Sequence, residues 1–188
     1  MAGRPTLLFG YALGKAQRLL AGLDAGTGPI FQHGAVARLT RDYRDSGVSL
    51  PPAGAAAEAP AGTDWERALV LAPPSAHGTP WTRRFGDYAS GFASGWMRIR
   101  GTRRRRAVDR GFVLSDHADW PGLLHAVRET GAEEVWVTHG YVAVLVRYLQ
   151  ERGLNARGLH TEFEGERDDA GEELVAEAAA GGAGEGGP

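Results

Sequence analysis

The feature that most constrains the fold is a series of short apolar runs, each followed by a stretch with helical spacing. The first run is Leu7, Leu8 and Phe9, and apolar residues then recur at helical intervals across 12–23. Runs that are apolar throughout, instead of alternating with polar residues, are typical of strands buried on both faces of a parallel sheet. The repeated order of strand and helix predicts an α/β fold with a largely parallel sheet.

The remaining elements follow the same pattern. Further strands are predicted at 29–31, 68–72, 94–97, 111–115, 134–138 and 156–163, and further helices at 35–43, from Thr79 to Phe85, at 121–130 and at 142–152. The Ala/Pro/Gly-rich stretch 51–62 has no periodicity and predicts a surface loop. Because function gathers at the carboxyl ends of parallel strands, polar residues that follow a strand are the first candidates for a site.

Composition and charge narrow the classes of function. Cysteine is absent, which excludes disulfide frameworks, thiolate metal ligands and cysteine nucleophiles. No apolar run approaches the roughly 18 residues of a membrane span and no signal pattern is present, so we expect a cytoplasmic protein with no membrane partner. Residues 164–188 carry eight acids and one arginine, which leaves a charge of +5 on residues 1–163. This asymmetry predicts a body that binds polyanions, followed by a disordered acidic tail.

Two histidines stand directly after predicted strands. His117 follows the strand at 111–115 within Ser-Asp-His-Ala-Asp, and His139 follows the strand at 134–138 within Thr-His-Gly. If the two strands are neighbours, both imidazoles lie at one sheet edge. Asp116 and Asp119 are suited to orient an imidazole or to meet a cation, and Gly140 allows close backbone approach. The alternative is that each histidine only caps its strand, and the spacing alone leaves both interpretations open.

The segments around these histidines resemble two motifs of the β-CASP nucleases, which belong to the metallo-β-lactamase superfamily. Ser115–Asp119 is similar to the family's Ser-x-His-x-Asp motif, and Thr138-His139-Gly140 begins 21 residues beyond His117 and is similar to its His-Gly motif. The opening run from Leu8 to Arg18 resembles the segment that begins the β-CASP insert. Within the family, the sequence Ser-Asp-His-Ala-Asp-Trp at 115–120 and the run Gly-Trp-Met at 95–97 are most similar to the corresponding segments of the ligase-associated DNA exonucleases.

The resemblance implies a reaction and a role for several residues. It implies two-metal phosphodiester hydrolysis with zinc, in which His139 is a metal ligand. His117 is then the acid or charge stabiliser at the scissile phosphate, oriented by Asp119 and supported by Ser115, Asp116, Thr138 and Gly140. The implied partners are DNA, single-stranded or at ends, and an ATP-dependent DNA ligase and helicase of the same repair system.

Four basic residues are candidate nucleic-acid contacts. Lys15 and Arg18 lie on the first turns of the opening helix, where backbone amides favour phosphate. Arg103 and Arg104 belong to an arginine-rich run that would track a nucleic-acid backbone. Solvated helix charges and a solvated hairpin loop are the competing interpretations. Lys15 is the single lysine beside twenty arginines, a bias that indicates genomic composition more than chemistry.

The superfamily's His-x-His-x-Asp-His metal motif does not occur in these residues, since no two of the six histidines are two positions apart. A catalytic zinc needs about three protein ligands, so His139 alone makes no site. The resemblance then implies a β-CASP-like insert at 1–85 and the C-terminal part of a metallo-β-lactamase αββα domain at 86–165, followed by the acidic tail at 166–188. We expect such a chain to be inactive alone, and an uncovered half-domain to associate with itself.

Two other functional hypotheses remain at this stage. The first is a non-catalytic nucleic-acid-binding module that uses the basic body without hydrolysis. The second is a stand-alone hydrolase using Ser115, Asp116 and His117, which is disfavoured because consecutive side chains on a strand end point in opposite directions.

Overall fold

A computed structural model of the protein describes residues 3–98, 107–138 and 140–159. The chain divides into two compact units, Met1–Asp116 and His117–Pro188. No helix in the described ranges is both long enough and apolar enough to cross a membrane.

Unit 1 is built on a six-stranded sheet in which every pairing is parallel. The strands lie in the order β3-β2-β4-β1-β5-β6. They comprise β1 (Thr6–Phe9), β2 (Ile30–Gln32), β3 (Gly54–Ala55), β4 (Leu69–Ala72), β5 (Ala89–Ala93) and β6 (Arg110–Phe112). Two helices, α1 (Lys15–Ala21) and α2 (Gly34–Asp45), follow β1 and β2. The predicted parallel α/β fold is confirmed at this level; the β-CASP and metallo-β-lactamase assignment stays a prediction.

The sheet of unit 1 is covered on both faces, as the wholly apolar strands predict. Leu8 and Leu71 point to the face that packs against α1 and α2. Leu7, Phe9 and Val70 point to the opposite face. That face carries short 3-10 turns at Pro74–Ala76, Pro80–Phe85 and Gly95–Arg98. Successive residues of β1 and β4 therefore find apolar partners on both faces of the sheet.

Unit 2 is smaller. Its strands β7 (Glu134–Val137) and β8 (Asn155–Gly158) pair in parallel in a separate sheet. Its helices are α3 (Trp120–Thr130) and α4 (Val142–Glu151), and α4 packs against both strands. The buried apolar residues of the described part of unit 2 are Val137, Leu149 and Ala156.

Several sequence predictions need correction. The run 94–97, predicted as a strand, is a 3-10 turn after β5, because the hydroxyl and carbonyl of Ser94 accept the N–H groups of Trp96 and Met97. The opening helix begins at Lys15 and not at Ala12, since Gly14 has φ 77°, which no helix residue adopts. The stretch at Thr79–Phe85 is a 3-10 turn and not an α-helix. The predicted loop 51–62 contains β3.

The strands that precede the two histidines are not neighbours in one sheet. β6 pairs with β5 in the sheet of unit 1, whereas β7 pairs with β8 in unit 2. The shared edge that would have joined His117 and His139 is therefore not formed by adjacent strands. The predicted domain boundary at 85 rests on family resemblance and stays a prediction. The predicted tail at 166–188 lies outside the described residues.

Candidate functional site

The candidate site lies at the carboxyl edge of the sheet in unit 1. From β1 the chain crosses to β2 on one side of the sheet, whereas from β5 it continues to β6 on the other side. β1 and β5 are adjacent, so their carboxyl ends flank the position where the direction of winding reverses. In open α/β sheets this is where crevices form and ligands bind.

The loop after β1 brings a buried cation to this edge. Gly14, in the left-handed region at φ 77°, turns the chain so that α1 starts with Lys15. Lys15 is only 3% exposed. Its stem passes beside Gly10, where a Cβ would lie 3.5 Å from Lys15 Cγ, and its ammonium is 5.0 Å from the centroid of the Tyr11 ring. A Cβ at Gly10 would lie 3.1 Å from Leu19 Cδ1, so this glycine lets α1 approach the end of β1 closely.

The carboxylate of Asp116 forms ion pairs with both basic residues of α1. Lys15 Nζ is 3.4 Å from Asp116 Oδ2, and Arg18 Nη1 is 3.3 Å from Asp116 Oδ1. The same Arg18 nitrogen donates to the backbone carbonyl of Ser115 at 2.7 Å. Four residues predicted as site residues from two distant motifs therefore meet within unit 1. We call Lys15, Arg18, Ser115 and Asp116 the charged clamp.

The segment that carries Ser115 and Asp116 is also held from the β5 side. Ser94, directly after β5, donates its N–H to Phe112 and accepts the N–H of Leu114 at its carbonyl. Gly95 approaches so closely that an added Cβ would lie 3.1 Å from Ser115 Cβ. Sequence reasoning missed Tyr11 and Ser94 as parts of this edge. The signal for Ser94 was the one applied to the histidines, a polar side chain directly after a buried strand, and Tyr11 follows β1 after a single glycine.

Two further histidines lie at the same edge of unit 1, and neither was predicted as a site residue. His33 follows β2 and caps α2, its Nδ1 accepting the N–H of Ala35 at 3.1 Å. Burial, helped by the positive charge of Arg84, lowers the pKa of His33 below its usual 6.5. His77 lies beyond β4, edge-on to Phe9 at 4.9 Å between ring centroids. Both contacts are structural and involve no metal-binding group.

The other predicted site residues belong to unit 2 or lie outside the described part. Asp119 is the N-cap of α3, and its Oδ1 accepts the N–H of Gly122 at 2.9 Å. His117 and Thr138 precede α3 and follow β7, respectively, while Gly140 has φ 81°, a turn conformation that favours glycine. His139, Arg103 and Arg104 lie outside the described residues, so their predicted roles stay predictions.

The residues present do not by themselves fit a metal centre. Across 3–98, 107–138 and 140–159, no three His, Asp or Glu side chains are grouped so that they could hold a metal ion. Asp116, His117 and Asp119 are three such residues in one segment, but they do not form a three-ligand group for zinc. Asp116 is paired with Lys15 and Arg18, and Asp119 caps α3. The arrangement that the structure does provide is an electrostatic one, with two cations against one carboxylate at a sheet edge.

Comparison with known proteins gives one sequence relationship. The chain is 32% identical over 155 residues to a probable DNA ligase from Opitutus terrae. The match covers 80% of this chain but 14% of that protein, so the chain spans a small fraction of the relative's length. No protein-family model matches the chain, and no solved structure does.

Proposed function

We propose that this chain acts on DNA as the C-terminal portion of a zinc-dependent exonuclease that works beside a DNA ligase. The observation that carries the proposal is the similarity to a probable DNA ligase across four-fifths of the chain. Because the match covers 14% of that protein, the shared region need not be the part that joins DNA ends. The resemblance of the Ser115–Asp119 and 138–140 segments to β-CASP nucleases supplies the finer assignment, phosphodiester hydrolysis.

In this proposal, the chain supplies an acid and cationic contacts for the DNA backbone. His117 donates a proton to the leaving oxygen or stabilises charge on the phosphate, and Asp119 fixes the start of α3 that follows it. Arg18 presents a half-exposed guanidinium at the sheet edge of unit 1, where it can contact phosphate. Arg103 and Arg104 are proposed to extend this contact along the backbone.

The metal needs ligands beyond those described. Bound zinc would generate hydroxide from water in such a hydrolase. His139 is the ligand proposed from this chain, and the His-x-His-x-Asp-His motif that completes such sites in the resembled family is not among these 188 residues. We therefore expect no hydrolysis by this chain alone and hydrolysis once a polypeptide carrying that motif is added.

A non-catalytic DNA-binding module is the second candidate. It is favoured by the exposed Arg18 guanidinium, which can contact phosphate without any metal. This candidate predicts binding that weakens with salt and no hydrolysis under any condition.

The deciding experiment combines DNA binding, zinc content and complementation. Binding of a fluorescent single-stranded oligonucleotide should be measurable at low salt and should weaken as salt rises. Co-expression with a polypeptide carrying the missing motif should give a complex that retains zinc, hydrolyses DNA and stops after chelation. His139→Ala should remove zinc and activity, whereas His125→Ala, an exposed histidine on α3, should not. Binding without hydrolysis in the complemented complex would establish the binding module, and absence of binding would overturn both candidates.

A further inference from the structure

The single lysine of the chain occupies a special place. All other basic side chains are arginine, twenty in number, and most of those described lie at the surface. Lys15 is the exception in both respects, since it is 3% exposed and its ammonium faces Asp116 at 3.4 Å. A composition bias towards arginine acts on every position, so it does not explain why the one buried cationic position in the described ranges is a lysine.

The surroundings of Lys15 suit an ammonium better than a guanidinium. Its stem is in contact distance of Gly10, and its ammonium lies 5.0 Å from the centroid of the Tyr11 ring and 3.4 Å from Asp116 Oδ2. An ammonium is a compact point charge, whereas a guanidinium is a broad planar fork that needs more room. Burial of a charge is costly unless it is paired, and Asp116 supplies that pairing.

We propose that Lys15 is a positioning residue, which with Arg18 clamps Asp116 and so holds the backbone directly before His117. Asp116 is the residue directly before His117, and the carbonyl of Ser115 is held at the same time by Arg18. The backbone is thereby restrained at two successive residues. The inference rests on the proposed function only in giving His117 a role at the phosphate.

The two basic residues of the clamp then have different roles, one structural and one in binding phosphate. Lys15 is enclosed and its charge is matched by Asp116, so no phosphate reaches it without displacing that carboxylate. Arg18 is 56% exposed and uses one nitrogen, Nη1, for both of its contacts in the clamp. A guanidinium carries further donors, so Arg18 can hold Ser115 and still meet a phosphate.

The first test uses the fact that the chain has one lysine. Native protein is acetylated with a limiting amount of an N-hydroxysuccinimide ester, and the labelling of Lys15 is followed by peptide mass spectrometry with the N-terminal amine as internal reference. Asp116→Asn should label Lys15 faster by on the order of tenfold, because loss of the carboxylate lets the amine reach solvent. Asp42→Asn, an exposed aspartate on α2, should leave the rate unchanged. Equal rates in native and urea-unfolded wild type would overturn the clamp.

The second test asks whether the clamp positions His117. Lys15→Met should shift the imidazole NMR signals of His117 but not those of His125, with the midpoint of unfolding recorded alongside. Since the chain lacks cysteine, Lys15→Cys can be alkylated with 2-bromoethylamine while unfolded and then refolded, which restores an ammonium of nearly the same length. This alkylated protein should recover the wild-type His117 signals. Unchanged His117 signals in Lys15→Met, or no recovery after alkylation, would overturn the positioning role.

DNA binding separates this inference from the proposed function. Lys15→Met should change the Kd for the oligonucleotide by less than about twofold, whereas Arg18→Gln should weaken binding several-fold, as loss of a phosphate contact does. Arg41→Gln, an exposed arginine on α2, is the matched control. A loss in Lys15→Met as large as that in Arg18→Gln would make Lys15 a phosphate contact and overturn the inference. If no variant binds DNA while the labelling results hold, the proposed function fails and the clamp stands.

Discussion

The two units of this chain bury their parallel strands to very different degrees. In unit 1, Leu7, Phe9 and Leu71 are almost completely buried, since both faces of the sheet are covered. In unit 2, Trp136 on β7 is 50% exposed although it lies in the middle of a parallel strand. Parallel strands are ordinarily buried on both faces, so unit 2 departs from the rule that unit 1 obeys.

The difference in burial predicts a difference in local stability between the two units. A six-stranded sheet with two covered faces supplies its own core, and the polar groups at its edge are positioned by rigid elements. Unit 2 offers three buried apolar residues among those described, and its exposed ones include Trp120, Tyr141 and Val144. We therefore expect the amides of unit 1 to exchange with solvent more slowly than those of unit 2.

The largest expected effect is loss of a core side chain in unit 1. Phe9→Ala removes a ring that is fully buried on β1, and we expect a loss of about 3–5 kcal/mol in the free energy of unfolding. Denaturant titration followed by tryptophan fluorescence measures it. Phe112→Ala, which removes a 42% exposed ring from the edge strand β6, is the control and should cost distinctly less. Equal losses of unfolding free energy in the two variants would mean that the burial of a strand residue does not determine its contribution to stability.

Leu149→Ala tests the core of unit 2. Leu149 is 1% exposed on α4, and its truncation should cost about 2–3 kcal/mol locally, towards the low end for leucine because so small a core can collapse. Hydrogen exchange should accelerate across β7, α4 and β8 and stay unchanged in β1 and β4. If the amides of both units accelerated equally, the two units would unfold as one, and the comparison drawn above would fail.

A buried polar network in unit 1 should show the next effect. Thr40 Oγ1 accepts the side-chain amides of Gln17 at 3.1 Å and Gln32 at 2.9 Å, which links α1, α2 and β2. Thr40→Val keeps the shape but leaves two buried donors with one acceptor fewer, so we expect a cost of about 1–3 kcal/mol. Ser46→Ala removes an exposed hydroxyl contact on the same helix and should cost less than half as much. A smaller cost for Thr40→Val than for Ser46→Ala would show that the network adds no stability.

The strand pattern was predictable because it depends on local features that the sequence carries directly. The wholly apolar runs at β1 and β4 indicate two-sided burial, and the parallel sheet follows. The 3-10 turn after β5 was not predictable from periodicity, because it depends on hydrogen bonds to Ser94 that compete with strand pairing. The sequence also did not predict that β6 and β7 belong to different sheets. The apolar character of a strand indicates that it is buried but not which strand pairs with it.

The candidate site was predictable in its residues but not in their grouping. Lys15, Arg18, Ser115 and Asp116 were singled out from two motifs about a hundred positions apart. That Lys15 would be enclosed and paired with Asp116 depends on the turn at Gly14 and on the pairing of β6 with β5. These are tertiary facts, and no local pattern encodes them.

The smallest expected effect is a pH dependence confined to unit 1, which arises from His33. Burial lowers the pKa of His33 below its usual 6.5, so the unfolded chain binds this proton more readily than the folded chain. Stability from this group is therefore fully present above about pH 6.5 and falls as the pH drops through the unfolded value towards the lower folded one. Protonation of Nδ1 also removes the acceptor that caps α2.

The variant His33→Asn keeps a capping acceptor that does not titrate. The difference in unfolding free energy between wild type and variant should therefore be constant at high pH and should shift in favour of the variant below pH 6.5. A difference that stays flat through the acid range would show that His33 titrates alike in both states and that its burial carries no cost.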